Sequence, residues 1–205
     1  MKNILFLLLI AAVAACSPLN PDRGIDEEDE STVDDEDTEK LTPPAYDVSV
    51  NWATCGSHVD EHPCNIKGTD QNGEPFDLYT HYNSLIVLDF STMWCGPCNQ
   101  AAVDVQHIQD VYVNFNLIYV TILIENMQGE TPTQSDVEQW ASTYGITTAP
   151  VIAGERSMLA SSGGSWDITG WPTFYYIDHQ MLIRDVDRGY NGQEVIYSIE
   201  WLLGQ

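Results

Sequence analysis

Residues 85–98 have the sequence LIVLDFSTMWCGPC, an apolar run followed by two cysteines that are separated by Gly-Pro. A short continuous apolar run of this kind predicts a buried strand. After the cysteines, apolar residues recur at the spacing of a helix: Ala101, Ala102, Val105, Ile108 and Tyr112. The sequence therefore predicts a strand that delivers a dithiol to the start of a helix near Pro97, and this arrangement indicates disulfide exchange.

Other elements are predicted on both sides of this stretch. A turn signal at 70–73 separates two short strands, and a second buried strand, a helix, a pair of strands and a last helix follow. Their predicted positions are strands at 65–67 and 76–78, a strand at 117–124, a helix from Thr133 or Ser135 to Gly145, strands at 173–177 and 181–183, and a helix at 195–203. This order predicts an α/β domain with a mixed sheet.

The first fifteen residues are predicted to be a signal peptide. Lys2 precedes an apolar run at 4–15, which is too short to span a bilayer and is typical of a signal-peptide core. The run ends in VAAC, residues 13–16, which resembles a bacterial lipobox. The resemblance implies cleavage before Cys16 and a lipid on that cysteine, with simple secretory cleavage as the alternative. Ser17, by analogy with lipoprotein sorting, favours the periplasmic side of the outer membrane.

Residues 16–44 are predicted to be a disordered tether. They contain the acidic blocks DEEDE at 26–30 and DDED at 34–37 and have few apolar residues to bury. Residues 45–205 are enough for one domain with a full core. The basic residues of that domain are Lys67, Arg156, Arg184 and Arg188. Because they form no basic patch, a nucleic acid is not expected as a partner.

The four remaining cysteines permit three disulfide pairings. The local one joins Cys55 to Cys64 and Cys95 to Cys98, and the first of these bonds would clamp the segment before the first strand. A different interpretation is that Cys55, His58, His62 and Cys64 bind zinc or copper, since thiolate and imidazole suit both metals. A disulfide is favoured because the predicted compartment is oxidising, so no metal site is predicted.

Four features of the chain resemble the membrane-tethered TlpA/ResA-like thiol–disulfide oxidoreductases. They are WCGPC at 94–98, Asp89 six residues before Cys95, GWPTF at 170–174, and an insertion containing APVI at 149–152. The resemblance covers residues 64–203. It implies a thioredoxin-like fold, with a mixed central sheet flanked by helices, an N-terminal hairpin and a TlpA-type insertion. It implies no cofactor.

The resemblance also implies how the second half of the site is built. Pro172 should follow a cis peptide bond and pack against the dithiol, and the residue before it should offer backbone groups to a substrate chain. Trp171 departs from the smaller residue usual there, and either covers the dithiol, narrows substrate choice or only packs. The predicted substrate-contacting residues are Trp94, Gly96, Pro97 and Trp171.

The residues predict a chemical role for each member of the dithiol site. Cys95 should be the attacking thiol, because exposed N–H groups at a helix N-terminus stabilise a thiolate. Cys98, one turn further, should be more buried and should resolve the mixed disulfide. Asp89 should carry a raised pKa in its apolar strand and act as the general base for Cys98. The alternative for Asp89 is a structural hydrogen bond at a strand end.

These inferences predict an extracytoplasmic enzyme that is anchored by lipid and is a monomer. The Gly-Pro dipeptide is the one found in reducing thioredoxins, so protein disulfides are the expected substrates and a transmembrane thiol carrier is a candidate electron donor. One alternative is a peroxiredoxin-like thiol peroxidase, for which Thr92 fits the usual pattern but Leu88 replaces its proline. Another is a non-enzymatic module that binds copper or zinc.

Overall fold

The computed structural model describes residues 50–204. The predicted signal peptide, the lipidation site at Cys16 and the acidic tether lie outside the described residues. The strands are β1 (Lys67–Thr69), β2 (Pro75–Asp77), β3 (Leu85–Thr92), β4 (Leu117–Glu125), β5 (Val151–Ala153), β6 (Thr173–Ile177) and β7 (Ile183–Arg188). The α-helices are α1 (Gly96–Tyr112), α2 (Gln134–Tyr144) and α3 (Gly192–Leu203).

The central sheet has five strands in the order β5-β4-β3-β6-β7, and β1 and β2 form a separate antiparallel hairpin. β3 lies in the middle, parallel to β4 and antiparallel to β6, and Asp89 faces Thr121 and Phe174 across the two neighbours. The predicted α/β architecture with a mixed sheet is therefore confirmed. Because β3, β4 and β5 are parallel, their carboxyl ends lie at one edge of the sheet, where Cys95 follows.

The sheet separates two hydrophobic cores. Leu85 and Val87 of β3 belong to the core that contains the buried side chains of α1, α2 and α3. Ile86, Leu88 and Phe90 belong to the other core, which the hairpin segment and Trp166 complete. Every residue of β3 is buried. Burial on both faces explains why this strand is a continuous apolar run instead of an alternating one.

The helix that carries the dithiol begins at Gly96, one residue before the predicted start. Cys95 is its N-cap, and Pro97 lies in the first turn. Proline is tolerated there because its missing N–H would have no partner inside the helix. The side chains predicted from their spacing do form the buried face, which consists of Cys98, Ala101, Ala102, Val105, Ile108, Gln109 and Tyr112.

Three predicted strand positions were wrong. The last strand is Ile183–Arg188 and not 181–183, because Met181 has a φ of 58° and its N–H donates to Asp178 O at 2.9 Å, which closes the turn. The strand continues through polar, half-buried residues that a search for apolar runs misses, as is common at a sheet edge. The hairpin strands are Lys67–Thr69 and Pro75–Asp77, closer to the turn than predicted. The turn tightens around Asp70, whose carbonyl accepts from Gly73 N at 3.0 Å.

The predicted insertion consists of α2 and β5. Thr133 caps α2 in a reciprocal capping box with Asp136, and Gly145 ends the helix with a φ of 66°. Left-handed backbone of this kind favours glycine at a helix end. The chain then enters β5, which extends the sheet beside β4. In the part of the chain that the structure describes, no helix is both long enough and apolar enough to span a bilayer.

Cys55 is bonded to Cys64, as the local pairing predicted. The loop between them lies against the start of β7, where Asp60 N donates to Ile183 O at 2.7 Å and Ile183 N donates to Glu61 O at 3.0 Å. The ring of His62 contacts Met181 O at 2.6 Å. Both thiols are used in the bond, and residues 50–204 contain no group of three or more His, Cys, Asp or Glu side chains arranged to hold a metal.

Replacing Cys55 and Cys64 together with alanine should destabilise the domain. Without the bond, the unfolded chain is no longer restricted by a closed loop and gains conformational entropy. The free energy of unfolding should therefore decrease by roughly 2–3 kcal/mol. The measurement is urea unfolding of the oxidised protein, in which Cys95 and Cys98 stay bonded. An unchanged midpoint would show that the bond does not stabilise this fold.

Candidate active site

Cys95 and Cys98 form a disulfide at the start of α1. Cys98 is fully buried, whereas Cys95 is 5% exposed and is flanked by exposed residues: Trp94, Gly96 and Pro97. The Cys95 Sγ accepts a hydrogen bond from Cys98 N at 3.2 Å. Since no acidic residue lies in the first turn, the helix N-terminus is free to stabilise negative charge on this sulfur after reduction.

Asn99 fixes the peptide that carries Cys95. Its Nδ2 donates to Cys95 O at 2.6 Å and to Met93 O at 3.3 Å. Its Oδ1 accepts a hydrogen bond from the Tyr144 hydroxyl, which comes from α2 of the insertion. Asn99 was not predicted from the sequence, because an asparagine on the first turn of a helix has no local signature of this contact.

Asp89 is a buried carboxyl with few partners. It is 1% exposed, and its side chain accepts from Ser91 Oγ at 2.6 Å and from the Tyr119 hydroxyl at 3.4 Å. Desolvation raises the pKa of Asp89 to about 7, because the two hydrogen bonds offset only part of the penalty on the ionised form. Burial, followed by the charge of Asp89, also raises the pKa of Tyr119 well above its usual value, so its hydroxyl remains a donor.

Asp89 and Cys98 lie on the same side of the sheet. Side chains alternate along a strand, and Leu85 and Val87, four and two residues before Asp89, belong to the core that contains Cys98. The sequence-predicted acid and the inner thiol are therefore brought to one face.

The segment around Pro172 lies at the dithiol end of the sheet. The Trp171–Pro172 peptide bond is cis, and Thr173 pairs with Phe90 near the end of β3. Gly189 N donates to Pro172 O at 2.8 Å, which ties the segment to the end of β7. Trp171 is half-buried and packs against both cores, so a packing role accounts for most of its surface.

A side-chain contact beside the dithiol was not predicted from the sequence. Trp94 Nε1 donates to Glu125 Oε2 at 2.7 Å, and the other oxygen of Glu125 forms an ion pair with Arg156. Glu125 is the last residue of β4 and is 2% exposed, and Thr92 is its partner on β3. The sequence did contain one signal of this contact, because Glu125 is an acidic residue at the end of a buried strand, on the edge of the sheet where the dithiol follows.

Thr92, the residue that fits the peroxidase pattern, does not contact the Cys95 sulfur through its hydroxyl. Thr92 is fully buried, and its Oγ1 has no hydrogen-bond partner among the described residues. Its backbone carbonyl accepts from Cys95 N at 3.3 Å instead.

The chain is similar to several known proteins. Among curated proteins, the chain is similar to the thioredoxin-like protein YneN of Bacillus subtilis, with 23% identity over 118 residues. That match covers 58% of this chain and 64%, less than two thirds, of the relative's length.

Two solved structures show the same fold. A thiol:disulfide interchange protein DsbE from Chlorobium tepidum matches with a TM-score of 0.59 and 18% identity, over 73% of this chain and all of that one. The exposed lipoprotein thioredoxin of Streptococcus pneumoniae matches with a TM-score of 0.55 and 18% identity, over 69% of this chain and all of that one. The model of the AhpC/TSA family matches residues 59–186, which is more than half of the sequence, and the chain therefore belongs to the AhpC/TSA family.

Proposed function

We propose that this protein is a TlpA/ResA-like thiol–disulfide oxidoreductase that reduces disulfide bonds in other proteins. The observation that carries the proposal is a bonded cysteine pair at the start of α1, at the same end of the sheet as the cis peptide bond before Pro172. The outer cysteine lies among exposed residues and the inner one is buried, which is the asymmetry that a nucleophile and a resolving thiol require.

In the reduced protein, the Cys95 thiolate attacks one sulfur of a substrate disulfide. The substrate S–S bond breaks, a mixed disulfide with Cys95 forms, and the other substrate sulfur leaves as a thiolate that takes up a proton. Cys98 then loses its proton and attacks the Cys95 sulfur. The second substrate thiolate leaves and is protonated, and two electrons have passed from the dithiol to the substrate.

Asp89 is the proposed general base for Cys98. It lies on the same side of the sheet as Cys98, and its raised pKa of about 7 lets it accept and release a proton near neutral pH. Ser91 and Tyr119 donate to its two oxygens and so favour the carboxylate enough to keep it a usable base.

The substrate chain is proposed to lie across the exposed rim of the dithiol. Trp94 is 46% exposed and Gly96 and Pro97 are exposed, and the half-buried Trp171 is proposed to form the opposite side with the buried Pro172. Met127, two residues after Glu125 in the turn after β4, is 58% exposed and is proposed to extend this rim. It was not predicted from the sequence.

The compartment is proposed to be extracytoplasmic, with the chain attached to the outer membrane through a lipid on Cys16. The predicted signal peptide and lipobox support this, as does the fold shared with an exposed lipoprotein thioredoxin. Each reductive cycle leaves Cys95 and Cys98 oxidised, so a thiol carrier in a membrane is the proposed donor of the two electrons that restore the dithiol.

Trapping of the mixed disulfide tests the proposal. The Cys98→Ser variant should accumulate a covalent adduct between Cys95 and a disulfide substrate such as insulin, because no resolving thiol remains. The wild type should reduce the same substrate and release it, and Cys95→Ser should do neither. The adduct is detected by non-reducing electrophoresis and mass spectrometry.

If Cys95→Ser traps substrate instead, the roles are reversed. Peroxide consumption without disulfide reduction would assign the peroxidase alternative.

A further inference from the structure

We propose that Arg156 is a positioning residue for the dithiol: it pairs with the buried Glu125 carboxylate, and Glu125 holds the Trp94 indole beside Cys95. The inference rests on the proposed function only in that the Cys95 thiolate is the group whose reactivity is at stake. Arg156 touches neither the cysteines nor a substrate and acts through the Glu125 carboxylate.

The contacts form a continuous chain from the turn after β5 to Trp94, the residue before Cys95. Arg156 pairs with one oxygen of Glu125, and Trp94 Nε1 donates to the other at 2.7 Å. The backbone of Glu125 also takes part, since its carbonyl accepts from Met93 N at 2.9 Å. Glu125 therefore holds both residues that precede Cys95.

Arg156 is held in place by close packing of its own segment. Gly154 N donates to Leu123 O at 2.7 Å, which continues the backbone contact between β5 and β4. A Cβ on Gly154 would come within 2.7 Å of Ile122 and 2.8 Å of Ile124, so the segment lies directly on β4. Arg156 opens a 3₁₀ turn two residues later and reaches back to the end of the same strand.

No other described cation is available to Glu125. Of the other Lys and Arg residues in 50–204, Lys67 pairs with Asp77, Arg184 with Asp60 and Asp178, and Arg188 with Asp167. Glu125 is 2% exposed, whereas the Arg156 side chain is 64% exposed. A buried carboxylate is costly unless it is paired, and here the compensation comes from a mostly solvated guanidinium.

Loss of the Arg156 charge should make the Cys95 thiolate less stable. The Glu125 carboxylate would lose its partner while still bonded to the indole of Trp94, the residue before Cys95, and a like charge in the neighbourhood opposes ionisation of a thiol. In the wild type, the charge of Arg156 thus offsets the negative charge that Glu125, at the end of β4, would otherwise impose on the active site. The hydrogen bond between Trp94 and Glu125 should keep its geometry in the variant.

The test uses reduced protein and follows thiolate formation at Cys95 by its ultraviolet absorbance as a function of pH. Arg156→Gln should shift the profile to higher pH, with a roughly five- to tenfold loss of thiolate at neutral pH and of the alkylation rate. Arg156→Lys should recover most of the loss. Lys67→Gln, which also removes one exposed paired cation, is the matched control and should leave the profile unchanged.

A second variant separates charge from folding. Adding Glu125→Gln to Arg156→Gln removes the uncompensated carboxylate and should return the profile toward that of the wild type. A profile for Arg156→Gln that equals the Lys67→Gln profile would overturn the inference, and so would a double variant no better than Arg156→Gln. These measurements need no substrate, so a wild type that fails to reduce disulfides would overturn the proposed function alone.

Discussion

Asp89→Asn should slow the release of substrate from the mixed disulfide by about a hundredfold or more, the usual size of a general-base contribution. The asparagine keeps the shape, and its single oxygen can still accept from one of the two hydroxyl donors, Ser91 or Tyr119, but it cannot take the proton from Cys98. The measurement is a single-turnover assay in which the mixed disulfide is formed first and thiol release is followed. In the wild type, the rate should fall as pH decreases through the pKa of Asp89, near 7, and the variant should lack that step.

The first chemical step provides the internal control. Alkylation of Cys95 and formation of the mixed disulfide should not be slower in Asp89→Asn, because removal of a negative charge does not oppose a thiolate. Equal rates of release in wild type and variant would leave Asp89 with only a structural role, the alternative that its sequence position also allows.

The same substitution should stabilise the oxidised protein above neutral pH. The folded Asp89 holds its proton up to about pH 7, whereas the unfolded chain releases it near 3.8, so the folded state binds more protons between these values. The free energy of unfolding therefore contains a contribution that is present at low pH and is lost as pH rises toward 7. At pH 8, Asp89→Asn should be more stable than wild type by up to about 4 kcal/mol, and the difference should shrink toward pH 4.

Urea unfolding at several pH values measures this difference. Subtraction of the wild-type curve from the variant curve removes the contribution of the other carboxyls, which titrate in both proteins. Asp110→Asn, at an exposed position of α1, is a suitable control and should give a curve parallel to that of the wild type. A parallel curve for Asp89→Asn would show that the pKa of Asp89 is not raised in the folded protein.

These two expected results would together describe a residue that is kept for its chemistry although it lowers stability. The Asp89 carboxyl has two hydrogen bonds and no cation beside it among the described residues. Its burial in an otherwise apolar face therefore lowers the stability of the folded state. Such a trade between stability and activity is common at active sites.

Much of the fold could be predicted because its signals are local. The apolar run of β3, the helical spacing after Pro97 and the capping residues of α2 each depend on neighbours within one or two turns. The position of β7 was wrongly predicted because this strand lacks such a local signal. Most of its residues are polar and half-buried at a sheet edge, and its start depends on the left-handed Met181, which no apolar pattern marks.

The sequence by itself singled out the residues that are proposed to carry the chemistry, because Cys95, Cys98, Asp89 and Pro172 lie in or beside short motifs at the ends of strands. Only the tertiary structure decided what surrounds them. Glu125 lies 31 residues after Trp94 and meets it through the register of β3 with β4, and Arg156 reaches Glu125 because β5 packs beside β4. The ionisation of a buried group depends on the charges and donors that packing brings to it, and these come from distant parts of the chain.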